Sequence, residues 1–80
     1  MGMTTESLLR VATARRWVAE KSGRARRERH HIAAGEIAET LGVTTSAVLT
    51  WEKGKSQPRG PVAERWVRLI EDLDAQAEKV

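Results

Sequence analysis

Between Thr44 and Lys55 the chain gathers small hydroxyl side chains and then two cations: Thr44, Thr45, Ser46 and Thr50, followed by Lys53 and Lys55 on either side of Gly54. A hydroxyl both donates and accepts at short range, and a Thr methyl can touch the methyl of a thymine. A Lys ammonium neutralises a phosphate. This chemistry suits close approach to a polyanion with a readable edge. Catalytic chemistry has no comparable grouping. The serines, the histidines and the scattered carboxylates show no triad spacing, Gly-rich phosphate loop or metal motif, so the chain is read as not an enzyme. His30 and His31 are adjacent and cannot both face one ion from a helix. Neither has a His or Cys four residues away, so no metal or other cofactor is expected.

The remaining basic groups lie just upstream, in "RARRERHH". Arg24, Arg26, Arg27 and Arg29 form either a phosphate-facing surface, with Arg26 as its candidate contact, or a solvated charge run. Formal net charge is +3, distributed as +2 over residues 1–21, +3 over 22–60 and −2 over 61–80. The basic side is therefore the first part and the middle, and the acidic C-terminal segment should lie away from phosphate.

Eighty residues make one domain with a small core. There is no cysteine, hence no disulfide staple, and the aromatic volume sits at Trp17, Trp51 and Trp66. No apolar run is long enough to span a bilayer, and the start lacks a signal-peptide stretch. "MGMTTE" has Glu6 where a myristoylation site needs Ser or Thr. The chain reads as cytoplasmic, with no membrane partner and no small-molecule ligand.

The elements that must position these groups are helices. A helix is expected from about Thr5 to Lys21, with Thr5 as cap, Gly23 as stop and Leu8, Val11, Ala12, Trp17 and Val18 as its apolar stripe. "RARRERHHI" is helix-permissive, with Ala25 and Ile32 pointing inward. Two short helices follow in "IAAGEIAETLGVTTSAVLTWEKGK". In the first, Ile37, Ala38 and Leu41 face inward, with Ala38 small enough for a close crossing. Gly42 takes the positive φ that ends it, Val43 plugs the gap below the turn, and Thr44 caps the second helix. Val48 and Trp51 return to the same core. "GKSQPRGP" is a loop, and Pro61 opens a last helix with Val62, Trp66, Leu69, Ile70 and Leu73 at helical spacing. No strand pattern or repeat is present. The fold class is all-α with about five short helices.

The two central helices form a helix-turn-helix. With Val48 and Trp51 inside, Thr45, Ser46, Leu49, Thr50 and Lys53 face out. A helix of about nine residues is roughly 13 Å long, near the major-groove width of ≈ 12 Å. Thr45, Ser46, Leu49 and Thr50 are thus candidates for contact with base edges.

These residues resemble the phage-repressor and Cro-type helix-turn-helix family, also called the xenobiotic-response-element family. "IAAGEIAETLGVTTSAVLTWEKGKSQP" is similar to its usual run: Glu-Ile-Ala, Leu-Gly-Val, the recognition helix, then Trp-Glu-x-Gly-Lys and a Pro. The resemblance covers roughly Gly23 to Leu73, with Arg27 to Ile32 as the lead-in. "PRGPVAERWVRLI" looks like actinobacterial and phage-borne members. The resemblance implies a repressor-like domain with an extra N-terminal helix: an extension over residues 1–22, a core over 23–73 and a C-terminal tail over 74–80. It implies phosphate contacts from Lys53, Lys55, Ser56, Gln57 and Arg59, and a structural pair between Arg27 and Glu52. Ala33 and Ala34 stand where the family commonly has a Ser or Thr cap and a Gln, so a cap worth about 1 kcal/mol and a phosphate contact are missing there.

The expected function is sequence-specific binding of double-stranded DNA by a transcription regulator, repressor or Cro-like, acting as a homodimer on a palindromic operator in the cytoplasm of a bacterial or phage-infected cell. An antitoxin that also binds a toxin, and a helical protein adaptor with no DNA role, are the alternatives. The terminal helices carry more apolar side chains than the motif core needs. They can either form a two-fold dimer or fold on one another within one chain.

Overall fold

The computed structural model describes residues 2–79, so Met1 and Val80, the ends of the expected extension and tail, lie outside the described residues. Five helices and no strand occur among these residues: α1 Thr5–Glu20, α2 Gly23–Glu28, α3 Ala34–Leu41, α4 Thr45–Glu52 and α5 Gly60–Glu78. Among the described residues no helix is long and apolar enough to cross a membrane.

α1 is capped one residue earlier than expected. Thr4, not Thr5, has extended backbone, and its hydroxyl accepts from the Ser7 N–H at 3.0 Å. The stop also differs. Lys21, not Gly23, takes the left-handed conformation at φ 57°, and the Ser22 N–H returns to the Trp17 carbonyl. Gly23 instead opens α2, where a Cβ would lie 3.0 Å from Cζ2 of Trp66 and 3.3 Å from Cγ of Glu52. The glycine is there for packing room rather than for backbone freedom.

The buried face of α1 is Val11, Ala14, Trp17 and Val18. Leu8 and Ala12, expected inside, are exposed. Four residues before Val11 stands Ser7, and its hydroxyl donates to Glu64 Oε1 of α5 at 2.9 Å. That position is the one the core face passes through, which leaves Leu8 turned about a third of the way round the helix. In α2 the inward residues are Gly23 and Arg27, while Ala25 is exposed and Ile32 is half-buried. A single turn places residues four apart on one face, and Ala25 lies opposite.

α1 lies along α5 within the chain. Arg10 reaches Glu71 across the two helices at 3.1 Å and Glu6 on its own helix at 2.9 Å. The Glu71 hydrogen bond raises the Arg10 pKa above its ordinary value. This docking rotates the buried face of α5 to Ala63, Trp66, Val67 and Ile70, leaving Val62, Leu69 and Leu73 half-buried. Residues 74–78 continue α5 as helix.

Trp66 is the centre of the core. Trp17 from α1 meets it edge-on, with ring centroids 5.5 Å apart at 86°, and Trp51 from α4 lies 5.4 Å away at 51°. Such tilted contacts set the negative face of one ring against the positive edge of another. Burial of Ile37, Ala38, Leu41 and Val48 joins α3 and α4 to the same cluster.

Candidate nucleic-acid interface

The turn between α3 and α4 is built from three residues with separate tasks. Gly42 has φ 72°, and its N–H and that of Val43 return to the carbonyls of Glu39 and Ala38. Val43 is half-buried against the core. Thr44 is extended, and its hydroxyl accepts from the Ala47 N–H at 3.1 Å, opening α4. Ala38, only 2% exposed, keeps α3 close to α4. The first turns of the two helices also approach each other, since a Cβ at Gly35 would lie 3.6 Å from Thr45 Oγ1.

The start of α3 lacks a side-chain oxygen at Ala33, yet it is not bare. Glu36 Oε1 accepts from the Ala33 N–H at 2.9 Å, so the carboxylate supplies half of a capping box. At the other end, Arg65 of α5 donates to the carbonyls of Leu41 and Thr40 at 3.2 and 3.3 Å, a cation on the negative end of α3.

α4 turns Val48, Trp51 and Glu52 inward. Thr45, Ser46, Leu49 and Lys53 are exposed, and Thr50 is half-buried. The Thr50 hydroxyl donates to the Ala47 carbonyl at 2.8 Å and accepts from Ser56 at 3.0 Å. Its hydrogen is therefore used within the fold. Leu49 is 37% exposed, an apolar side chain on a face otherwise made of hydroxyls.

Past α4, Gly54 has φ 76°. The Gly54 and Lys55 N–H groups donate to Trp51 and Thr50 carbonyls at 3.1 and 3.0 Å. These two amides are spent within the fold and offer nothing to an anion at this corner. Lys53, Lys55, Ser56, Gln57 and Arg59 are all exposed along it.

Beneath this surface lies the ion pair of Arg27 and Glu52. Nε and Nη2 of Arg27 donate to the two carboxylate oxygens at 2.7 and 2.9 Å, and Nη1 donates to the Ile32 carbonyl at 2.9 Å. Arg27 is 9% exposed and Glu52 6%. The bidentate geometry matches the fork of a guanidinium to a carboxylate and fixes α2 against the last turn of α4. The Glu52 hydrogen bond raises the Arg27 pKa, outweighing desolvation, which lowers it. Arg26 is held against the end of α1. Its guanidinium carbon is 4.4 Å above the Trp17 ring, and its Nε donates to Ser22 at 3.2 Å.

The two histidines diverge. His30 Nε2 lies 2.6 Å from Asp74 Oδ1 of α5, whereas His31 is exposed at φ 58°. Among the described residues no cluster of His, Cys, Asp and Glu could hold a metal ion. Arg65 and Asp74 carried no signal in the sequence as partners of α3 and His30, because both contacts depend on where α5 lies.

Two short helices joined by a glycine turn, the second exposing hydroxyls beside a basic loop, define the helix-turn-helix class of DNA-binding domains. A family model described as Helix-turn-helix, of the Cro/C1 type, matches residues 24–74, and the chain belongs to that family. It is a DNA-binding transcription regulator, from a family of regulators rather than of enzymes. No curated protein and no solved structure matches the chain.

Proposed function

We propose that the protein is an operator-binding repressor that acts as a homodimer on a palindromic site. The single observation that carries this reading is the composition of α4, whose outward face holds Thr45, Ser46, Leu49 and the half-buried Thr50, bordered by exposed Lys53. These four residues read base edges in the major groove. Lys53, Lys55, Ser56, Gln57 and Arg59 hold phosphates and set the register of the helix. Arg26 reaches a phosphate from its seat on Trp17, which limits its freedom before binding. None of the base-reading side chains makes a bidentate contact, so discrimination rests on shape, methyl contacts and single hydrogen bonds.

The dimer draws on the apolar groups that the chain leaves outside. α1 spends Val11, Trp17 and Val18 within the chain, so the surplus is smaller than the sequence suggests. Leu8 and Leu9 remain exposed at 55% and 63%. Pairing two copies through this face supplies the two-fold symmetry that a palindrome requires. Selection of bound sequences from random duplex DNA tests the reading. The expected product is a symmetric site with half-sites about one turn, roughly 34 Å, apart. Enrichment of an asymmetric site, or none, would overturn the dimeric operator reading.

A further inference from the structure

α1 ends against the corner that follows α4. Lys21 closes the helix in the left-handed region, which side chains other than glycine seldom enter. Its stem then runs beside Gly54. A Cβ placed on Gly54 would lie 3.1 Å from the Val18 carbonyl oxygen, 3.2 Å from Lys21 Cγ and 3.3 Å from Lys21 Cε. The ammonium is the next atom past Cε, so it arrives at the corner that Lys53 and Lys55 already flank. All three lysines are exposed, and among the described residues none forms an ion pair with a carboxylate. Cations on one surface without an internal partner are open to a polyanion, whose counterions they displace on binding.

We propose that Lys21 is a third phosphate contact at this corner, so that the N-terminal helix, which lies outside the matched family segment, grips the DNA backbone together with the α4–α5 loop. This rests on the DNA-binding reading of Lys53 and Lys55. The competing role for a Lys at this position is local. A cation at a helix C-terminus interacts favourably with the helix dipole, and that would show in the stability of the fold rather than in the salt dependence of binding.

Lys21→Gly separates the two roles, because it removes the cation and also relieves the positive φ. Binding to a short random-sequence duplex is measured across a salt series. One lost phosphate contact flattens the log–log slope by about 0.9, so the affinity lost between about 50 and 200 mM salt shrinks about 3.5-fold. The thermal midpoint of the variant should hold or rise. Lys21→Arg should keep the wild-type slope, and Arg15→Gln, farther back on the same helix, should leave it unchanged. A wild-type slope for Lys21→Gly beside a flattened slope for Lys53→Ala overturns the proposal and leaves the DNA-binding corner standing. The same flattening in Arg15→Gln also overturns it, since net charge alone would then be acting. Unchanged slopes in both Lys21→Gly and Lys53→Ala would remove the reading of the corner itself.

Discussion

Glu52→Ala leaves the Arg27 guanidinium in a nearly closed site with two of its three hydrogen bonds removed, since only that to the Ile32 carbonyl remains. Deleting one partner of a buried pair costs about 3 kcal/mol or more, because the charge left behind is neither paired nor solvated. For a chain of 80 residues the whole stability is about 4–12 kcal/mol, so this is a large part of it. A domain of this size loses about 4–8 °C per kcal/mol, which puts the expected fall in Tm at about 12–24 °C. Tryptophan fluorescence is a suitable probe, as all three rings meet around Trp66. Glu39→Ala, on an exposed position of α3, is the control and should stay within about 0.5 kcal/mol. The double variant Arg27→Met with Glu52→Leu should recover most of the loss, because it removes the stranded charge and keeps the volume. A Glu52→Ala midpoint no lower than that of Glu39→Ala would refute the reasoning. A double variant as unstable as the single one would show that lost packing, not the orphaned charge, sets the cost.

Other outcomes follow from the same geometry. Gly54→Ala should destabilise by at least about 1 kcal/mol more than Gly42→Ala in urea unfolding, because both have positive φ but only Gly54 has Val18 and Lys21 against it. Gly23→Ala should cost about 1–3 kcal/mol in the same assay, as the added methyl presses on the Trp66 ring. Lys53→Ala and Lys55→Ala should weaken binding to all duplexes and each flatten the salt slope by about 0.9, while Thr45→Ala should shift preference at one or two base positions in a selection experiment. The Glu52 hydrogen bond raises the Arg27 pKa, so the arginine's share of stability is fully present below the ordinary guanidinium range and is lost only as the pH rises through the raised value. The stability difference between the wild type and the Arg27→Met, Glu52→Leu double variant, which strands neither charge, should therefore be the same at pH 6 and pH 9 in parallel denaturations.

The motif was legible in the sequence because each of its parts is set locally. Gly42, Thr44 and the small Ala38 describe a turn and a crossing without reference to the rest of the chain. The other helices were harder to read, for reasons that differ. α2 is less than two turns long, too short to show a period, and its inward side chain is the charged Arg27, which only the partner Glu52 makes compatible with burial. The end of α1 falls where the sequence puts it, but Gly23 suggests the backbone role there, whereas the left-handed residue is Lys21. Which flank of α5 would be covered could not be read from α5 itself. Val67 is buried and Leu73 is not, because α1 docks along one side, a contact between residues some sixty positions apart. On the candidate interface, the outward side chains of α4 followed from the inward Val48 and Trp51. The arrival of Lys21 beside Gly54 had no local signature.

The family segment begins at Arg24, yet the ring of Trp66 inside it is covered by Trp17, which lies before it. Val11, Ala14 and Val18 finish the same wall. A fragment cut at the family boundary would therefore present the flank of its largest core side chain to water. The unit that folds and the unit that is recognisable by descent have different edges here, and in kin lacking this first helix some other apolar surface, or a smaller residue in place of Trp66, must close the gap.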